Sequence, residues 1–125
     1  MQFSCQEVNH CMIHFNDSER PFKEGDCGPK YLGSDSHSEW GVLVLKPGQG
    51  SRLYGRHFHK VVAETFYILE GSVHFWIEGK EFEGRVGDIV TVEPHEKHWL
   101  ENRGDGDFRA VFIKVPFDPT DRHPF

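Results

Sequence analysis

From Trp40 onward the chain alternates short apolar runs with turn-forming residues about every 8–12 positions, the texture of an all-β protein. Residues 41–45 (Gly-Val-Leu-Val-Leu) read as a buried strand, stopped by Lys46-Pro47-Gly48-Gln49-Gly50. Residues 51–57 and 64–70 come next as strands, and Gly71-Ser72 connects tightly into residues 73–77. Glu78-Gly79-Lys80 is another short turn, leading through Glu81-Phe82-Glu83 to Gly84. Strands around Val90 and Leu100, a polar loop at 102–107 and a last strand at 108–115 complete the pattern. No segment has convincing helical amphipathicity, so the expected architecture is a β-sandwich or small barrel, which also removes exposed sheet edges. Alternation predicts the lining. If Glu64 faces inward, so do Phe66 and Ile68; if His98 does, so do Leu100 and Asn102. On the strand between them, apolar content favours Val73, Phe75 and Ile77 as the inward set.

The first 39 residues lack this regularity. Residues 16–21 and 23–29 are turn-forming and 33–39 form a polar loop, with Lys30-Tyr31-Leu32 offering one short strand between them. Three parts are therefore expected: an irregular arm over 1–39, a barrel over 40–115 and a tail over 116–125 that carries three prolines. A chain of 125 residues is one domain and buries a core without disulfides. The formal charge of −6 argues against nucleic acid and anionic membrane surfaces as partners. The longest apolar run, Trp40 to Leu45, is far too short to span a bilayer, and the N-terminus lacks the features of a secretory signal. Cys5, Cys11 and Cys27 are odd in number without Cys-x2-Cys spacing, so reduced thiols and a cytoplasmic location are expected.

The chemistry concentrates in His57-Phe58-His59 and in Glu64 and His98 downstream. Two residues apart on a strand, His57 and His59 present their imidazoles to one face. Glu64 opens the next strand after a short bend, and His98 begins a strand further on. Three imidazoles and a carboxylate converging on one point suit one divalent transition metal, with Fe, Mn, Ni and Zn all acceptable, and require no organic cofactor.

At these residues the chain resembles the cupin superfamily. Its first motif, G-x5-H-x-H-x3,4-E-x6-G, is met from His57 through His59 and Glu64 to Gly71, with the leading glycine (Gly50) displaced by one. Its second, G-x5-P-x-G-x2-H-x3-N, keeps Gly87, His98 and Asn102. Glu93 stands where the family has proline, Pro94 comes one place late, and His95 occupies the glycine position. The resemblance implies a jelly-roll (double-stranded β-helix) cupin barrel. It also implies a metal held by His57, His59, Glu64 and His98, and a homodimer; the exposed sheet edges beside an irregular arm predict that part of residues 1–39 crosses onto the partner's sheet.

Around that metal the expected ligand wall comprises Phe66, Ile68, Phe75, Leu100 and Asn102, with a small molecule as the ligand. Tyr54 and His95 are the candidate acid–base groups; Arg52 and Arg56 read as solvated edge charge, with anchoring of an anionic substrate as the alternative. Trp40, Trp76 and Trp99 are expected to pack the core or an interface. Four protein ligands leave open coordination positions, which separates a reactive centre from a closed structural one. Three functions fit: a dioxygenase-like oxidoreductase acting on a small oxygenated metabolite, a metal-dependent isomerase, and a sugar- or metabolite-binding module without catalysis. The first is preferred, because the set needs no organic cofactor and an apolar wall protects a reactive intermediate.

Overall fold

The computed structural model describes residues 12–125, apart from the side chains of Leu53 and Tyr54. Its strands are β1 (Gly28–Ser34), β2 (Glu39–Leu45), β3 (His57–Phe58), β4 (Ala63–Glu70), β5 (Ser72–Ile77), β6 (Lys80–Arg85), β7 (Ile89–Val92), β8 (His98–Glu101), β9 (Phe108–Val115) and β10 (His123–Pro124). They form two five-stranded antiparallel sheets, ordered β1-β2-β9-β4-β7 and β10-β3-β8-β5-β6. The fold is a jelly roll.

Local sequence explains the joints. Between β5 and β6 the two loop residues Glu78 and Gly79 both adopt positive φ (48° and 86°), the twist-matched geometry of a two-residue hairpin. Gly71 turns β4 into β5 at φ 71°. A Cβ there would press into the backbone of Asp107 and Phe108, so this turn demands glycine.

The two sheets close on a core of Leu45, Phe66, Ile68, Val73, Phe75, Val90, Val92, Leu100, Phe108, Ala110 and Phe112. Its inward residues recur at every second position of β4, β5 and β9, as the alternation requires. Val42 and Val44, on the other face of β2, are also buried. Their register partners Lys30 and Arg109 both reach Asp17, at 2.9 Å through its carbonyl and 2.8 Å through its carboxylate. The segment around Asp17 thus crosses the back of this sheet and makes β2 apolar on both faces.

The structure differs from the sequence expectations at two places. The barrel is not confined to 40–115: β1 extends it on one side and β10 on the other. Within the chain, β1 pairs with its own β2 along six register pairs, so this part of the arm completes the chain's own sheet. The stretch read as a strand over 51–57 is instead a single helical turn, α1 (Ser51–Tyr54), succeeded by the two-residue β3. The reason is local: the Ser51 hydroxyl takes the Leu100 N–H at 3.0 Å, occupying the position a strand would have used, and Gly55 N–H closes the turn on Ser51 at 2.9 Å. Among the described residues, no helix is long and apolar enough to cross a membrane. Cys5 and Cys11 lie outside the described residues; Cys27 is a buried free thiol.

Candidate metal centre

Four side chains converge between the sheets. His57 on β3 and His98 on β8 are direct register partners, His59 stands just beyond β3, and Glu64 reaches across from β4 in the opposite sheet. One donor atom from each lies within 4.8 Å of all the others. Ring centroids are 5.0 Å apart for His57 and His59, 4.7 Å for His57 and His98, and 5.7 Å for His59 and His98.

The imidazoles share one arrangement that suits a metal. Each turns its Nδ1 toward a backbone carbonyl: His57 to Gly55 at 2.6 Å, His98 to Glu96 at 2.9 Å, and His59 to Asp121. A carbonyl only accepts, so Nδ1 carries the proton and Nε2 keeps its lone pair for the centre of the cluster. The Nε2 atoms of His59 and His98 are buried and have no hydrogen-bond partner. Glu64 Oε1 stands 3.7 and 3.9 Å from them, beyond hydrogen-bonding reach. Buried nitrogens without partners are costly, and a cation at their meeting point satisfies both. The donor set therefore fits one divalent transition metal.

Electrostatics agree. Burial pushes the His57 imidazole down to about 4 and lowers His98 in the same direction, so both are neutral ligands at neutral pH. For His59, burial also pulls downward, but the Glu64 carboxylate and the Asp121 carbonyl outweigh it and its affinity for a proton rises. For Glu64, burial would raise the carboxyl, yet His59, Lys114 and His98 together hold it below the ordinary range, so it is ionised. At His59 a proton and a dication therefore compete for the same Nε2 lone pair.

Asp121 is the support that sequence reasoning missed. Buried at 6 % exposure, its carboxylate accepts the N–H groups of Lys60 (2.8 Å), Val61 (2.8 Å) and Val62 (2.9 Å) and faces His123 Nε2 at 3.0 Å. It fastens the loop after His59 while its own carbonyl orients that ring. The supposed tail thus holds part of the cluster. Nothing local marks this role, because the loop and ring that Asp121 holds lie 59–62 residues away.

The cluster opens into a cavity of about 680 Å3 whose apolar wall includes Tyr31, Leu43, Phe66, Leu100 and Phe112. Of the expected lining, Phe66 and Leu100 are present. Ile68 and Phe75 face inward but lie in the core rather than in the cavity wall, with Phe75 packed against Phe66 and Phe82. Asn102 is a loop brace: its amide donates to the carbonyls of Leu45 (2.9 Å) and Gly106 (2.8 Å) and accepts from Gly104 N–H (3.0 Å). His95 is exposed and outside the wall. It holds φ 72° at the motif's glycine position, and its N–H donates to the His59 carbonyl at 2.6 Å. The Tyr54 side chain lies outside the described residues.

Arg52 pairs with Glu101 at 3.3 Å and lies over Trp99, itself stacked on Trp76 across the outer face of the second sheet. The cavity's cations are Lys23, Lys114 and Arg122 instead. Lys114 was detectable, since it continues the inward series Phe108, Ala110, Phe112 along β9.

The comparisons agree with this fold. The oxalate-binding protein of Thermotoga maritima is 36% identical over 73 residues, covering 57% of this chain and 58% of that protein. Quercetin 2,3-dioxygenase of Bacillus subtilis is 33% identical over 82 residues, covering 62% of this chain but 23% of that enzyme. The chain spans about half the length, or less, of the first curated relatives it matches. In structure, a double-stranded β-helix protein from Klebsiella pneumoniae superposes with a TM-score of 0.68 at 22% identity, covering 82% of this chain and 89% of that one. Residues 41–114, more than half of the sequence, match the family described as the cupin domain, and the chain belongs to it.

Proposed function

We propose that this cupin is a metal-dependent oxidoreductase, dioxygenase-like, that takes a small oxygenated metabolite into the cavity beside His57, His59, Glu64 and His98. The observation that carries this reading is the pair of buried, unpartnered Nε2 atoms facing the Glu64 carboxylate at the head of a cavity with an apolar wall. A bound transition metal supplies Lewis-acid polarisation of ligand oxygens and, if redox-active, a route to oxygen chemistry. The chain's residues do the rest. The Gly55, Glu96 and Asp121 carbonyls keep each Nδ1 protonated and each Nε2 aimed inward. Phe66, Leu100 and Phe112 exclude water, which strengthens every charge interaction inside. The likeness to quercetin 2,3-dioxygenase supports oxygen chemistry. The likeness to an oxalate-binding protein supports a second reading, a metabolite-binding module that holds its ligand without turning it over.

Elemental analysis tests the metal first: the wild type is expected to hold about one transition metal per chain, and His57→Ala to lose most of it. Full occupancy in His57→Ala would remove His57 from the set. The protein is then loaded with Fe(II) without air and screened with diketones, catechols, thiols and sugars for spectral change and oxygen uptake. Ligand binding without oxygen consumption, equally tight in the Zn form, overturns the oxidoreductase in favour of the binding module. Turnover of a sugar without oxygen favours an isomerase.

A further inference from the structure

The charge of the cavity bears on what enters it. Strand β9 sends Phe108, Ala110 and Phe112 into the core, at 0 %, 0 % and 2 % exposure, and Lys114 is the next residue in that series. It lines the cavity and is flanked in register by Glu64 on β4 and by Glu39 on β2, the latter outside the cavity wall. Unlike Phe108, Ala110 and Phe112 it is half-buried, so its stem packs inward while its ammonium remains able to meet an anion. Its ammonium lies over the faces of Phe112 and Tyr31, 5.5 and 5.6 Å from the ring centroids. Among the described residues it has no ion pair and no hydrogen-bond acceptor, whereas Lys30 and Lys46 are each engaged by an aspartate. Glu64 is near enough for each charge to stabilise the other, but its carboxylate belongs to the metal-binding set. With a dication in place, one carboxylate faces both that ion and Lys114, and the inner cavity carries surplus positive charge. Of the other two cations in the wall, Arg122 is engaged by the Gly55 carbonyl at 3.1 Å, whereas Lys114 stands beside Glu64 of the cluster itself.

From this placement we infer that the ligand is an organic acid: a carboxylate-bearing molecule whose anionic group is held by Lys114, whose second oxygen reaches the histidine cluster, and whose apolar body lies along Tyr31, Phe66, Leu100 and Phe112. Lys114 is on this view the specificity-determining residue. The inference rests on the proposed metal-bound site and goes further, because neutral diketones, catechols and sugars satisfy that site but leave Lys114 unmet. Its cation suits a carboxylate as a compact point charge, and the rings of Phe112 and Tyr31 hold the ammonium beside the cavity.

The test uses zinc-loaded full-length protein, titrated calorimetrically with phenylpyruvate and with its methyl ester, metal content being measured on the same samples. The wild type is expected to bind the acid at least ~10-fold more tightly than the ester, the scale of one charge-assisted hydrogen bond. Lys114→Met, close in length but uncharged, is expected to keep its metal, lose ~10-fold or more in affinity for the acid, and bind the ester as before. Lys114→Arg restores preference for the acid if charge is what matters. A Lys114→Met protein with full metal and wild-type affinity for the acid overturns the assignment. So does a wild type that ignores the difference between acid and ester, or binds neither. A wild type that takes up no metal fails the proposed function itself and this inference with it; metal-replete protein without charge preference fails this inference alone.

Discussion

Replacing Asp121 by alanine asks how firmly the C-terminal segment holds the metal centre. The substitution removes the acceptor of three consecutive backbone N–H groups, at 2.8, 2.8 and 2.9 Å. Lys60 and Val61 are exposed, so their amides turn to water at little cost, whereas Val62 is 2 % exposed and its N–H is left dry. A hydrogen bond to a charged acceptor contributes about 1.5–3 kcal/mol, and a stranded buried donor costs about as much again. Allowing for shared partners, the loss comes to about 3 kcal/mol, a large part of the ~5–15 kcal/mol that keeps a domain folded. The mutation leaves the Asp121 carbonyl chemically intact but frees its position, so His59 loses its fixed orientation. Supports of this kind are each worth roughly 10–100-fold in metal affinity. Urea unfolding of the metal-free protein measures the first effect and competition against a chelator the second. An unchanged unfolding midpoint would refute the anchoring argument. Lower stability with wild-type metal affinity would refute the link from Asp121 to His59.

Three further outcomes are expected. Acidification from about pH 6.5 to 4 should destabilise the metal-free protein: the unfolded chain takes up a proton that His57, held at about 4, refuses, a contribution on the order of 3 kcal/mol. His98 acts in the same direction and His59, whose raised affinity stabilises the fold at low pH and fades as pH rises, acts against them; urea midpoints that increase between pH 6.5 and 4 would contradict this. Phe75→Ala, at a fully buried site between Phe66 and Phe82, should cost about 3–5 kcal/mol by thermal or urea unfolding, and a loss under ~1 kcal/mol would mean that the core collapses around the gap. His95→Gly should leave metal content and ligand affinity unchanged and raise stability by up to ~1 kcal/mol, since it relieves a positive φ; a sharp fall in ligand affinity would restore His95 to the site.

The cluster was legible because its signals are local. His57 and His59 share a strand face, Glu64 and His98 each open a strand, and alternation carried Phe66, Ile68, Phe75 and Leu100 correctly to the interior. Alternation assigns a face, however, and cannot separate the cavity wall from the packed core beneath it. Ile68 and Phe75 fall in the core for that reason. Asn102 faces inward too, but three loop contacts occupy its amide. What escaped was set by distant partners. The helical turn at 51–54 depends on Leu100, the two-sided burial of β2 on Asp17, and the loop after His59 on Asp121. None leaves a periodic trace in its own neighbourhood.

The dependence of His59 on Asp121 also orders events in time. A ribosome makes the chain from the N-terminus, so His57, His59, Glu64 and His98 all emerge before Asp121 does. Until then the Lys60–Val62 amides lack their acceptor and β3 lacks β10 on its outer edge. The barrel core, which needs nothing beyond Phe112, can condense first. The oriented donor set closes later, across a contact of 62 residues in sequence. The metal capture proposed above would therefore wait for residue 121, and a nascent barrel lacking it would hold its donors less firmly oriented.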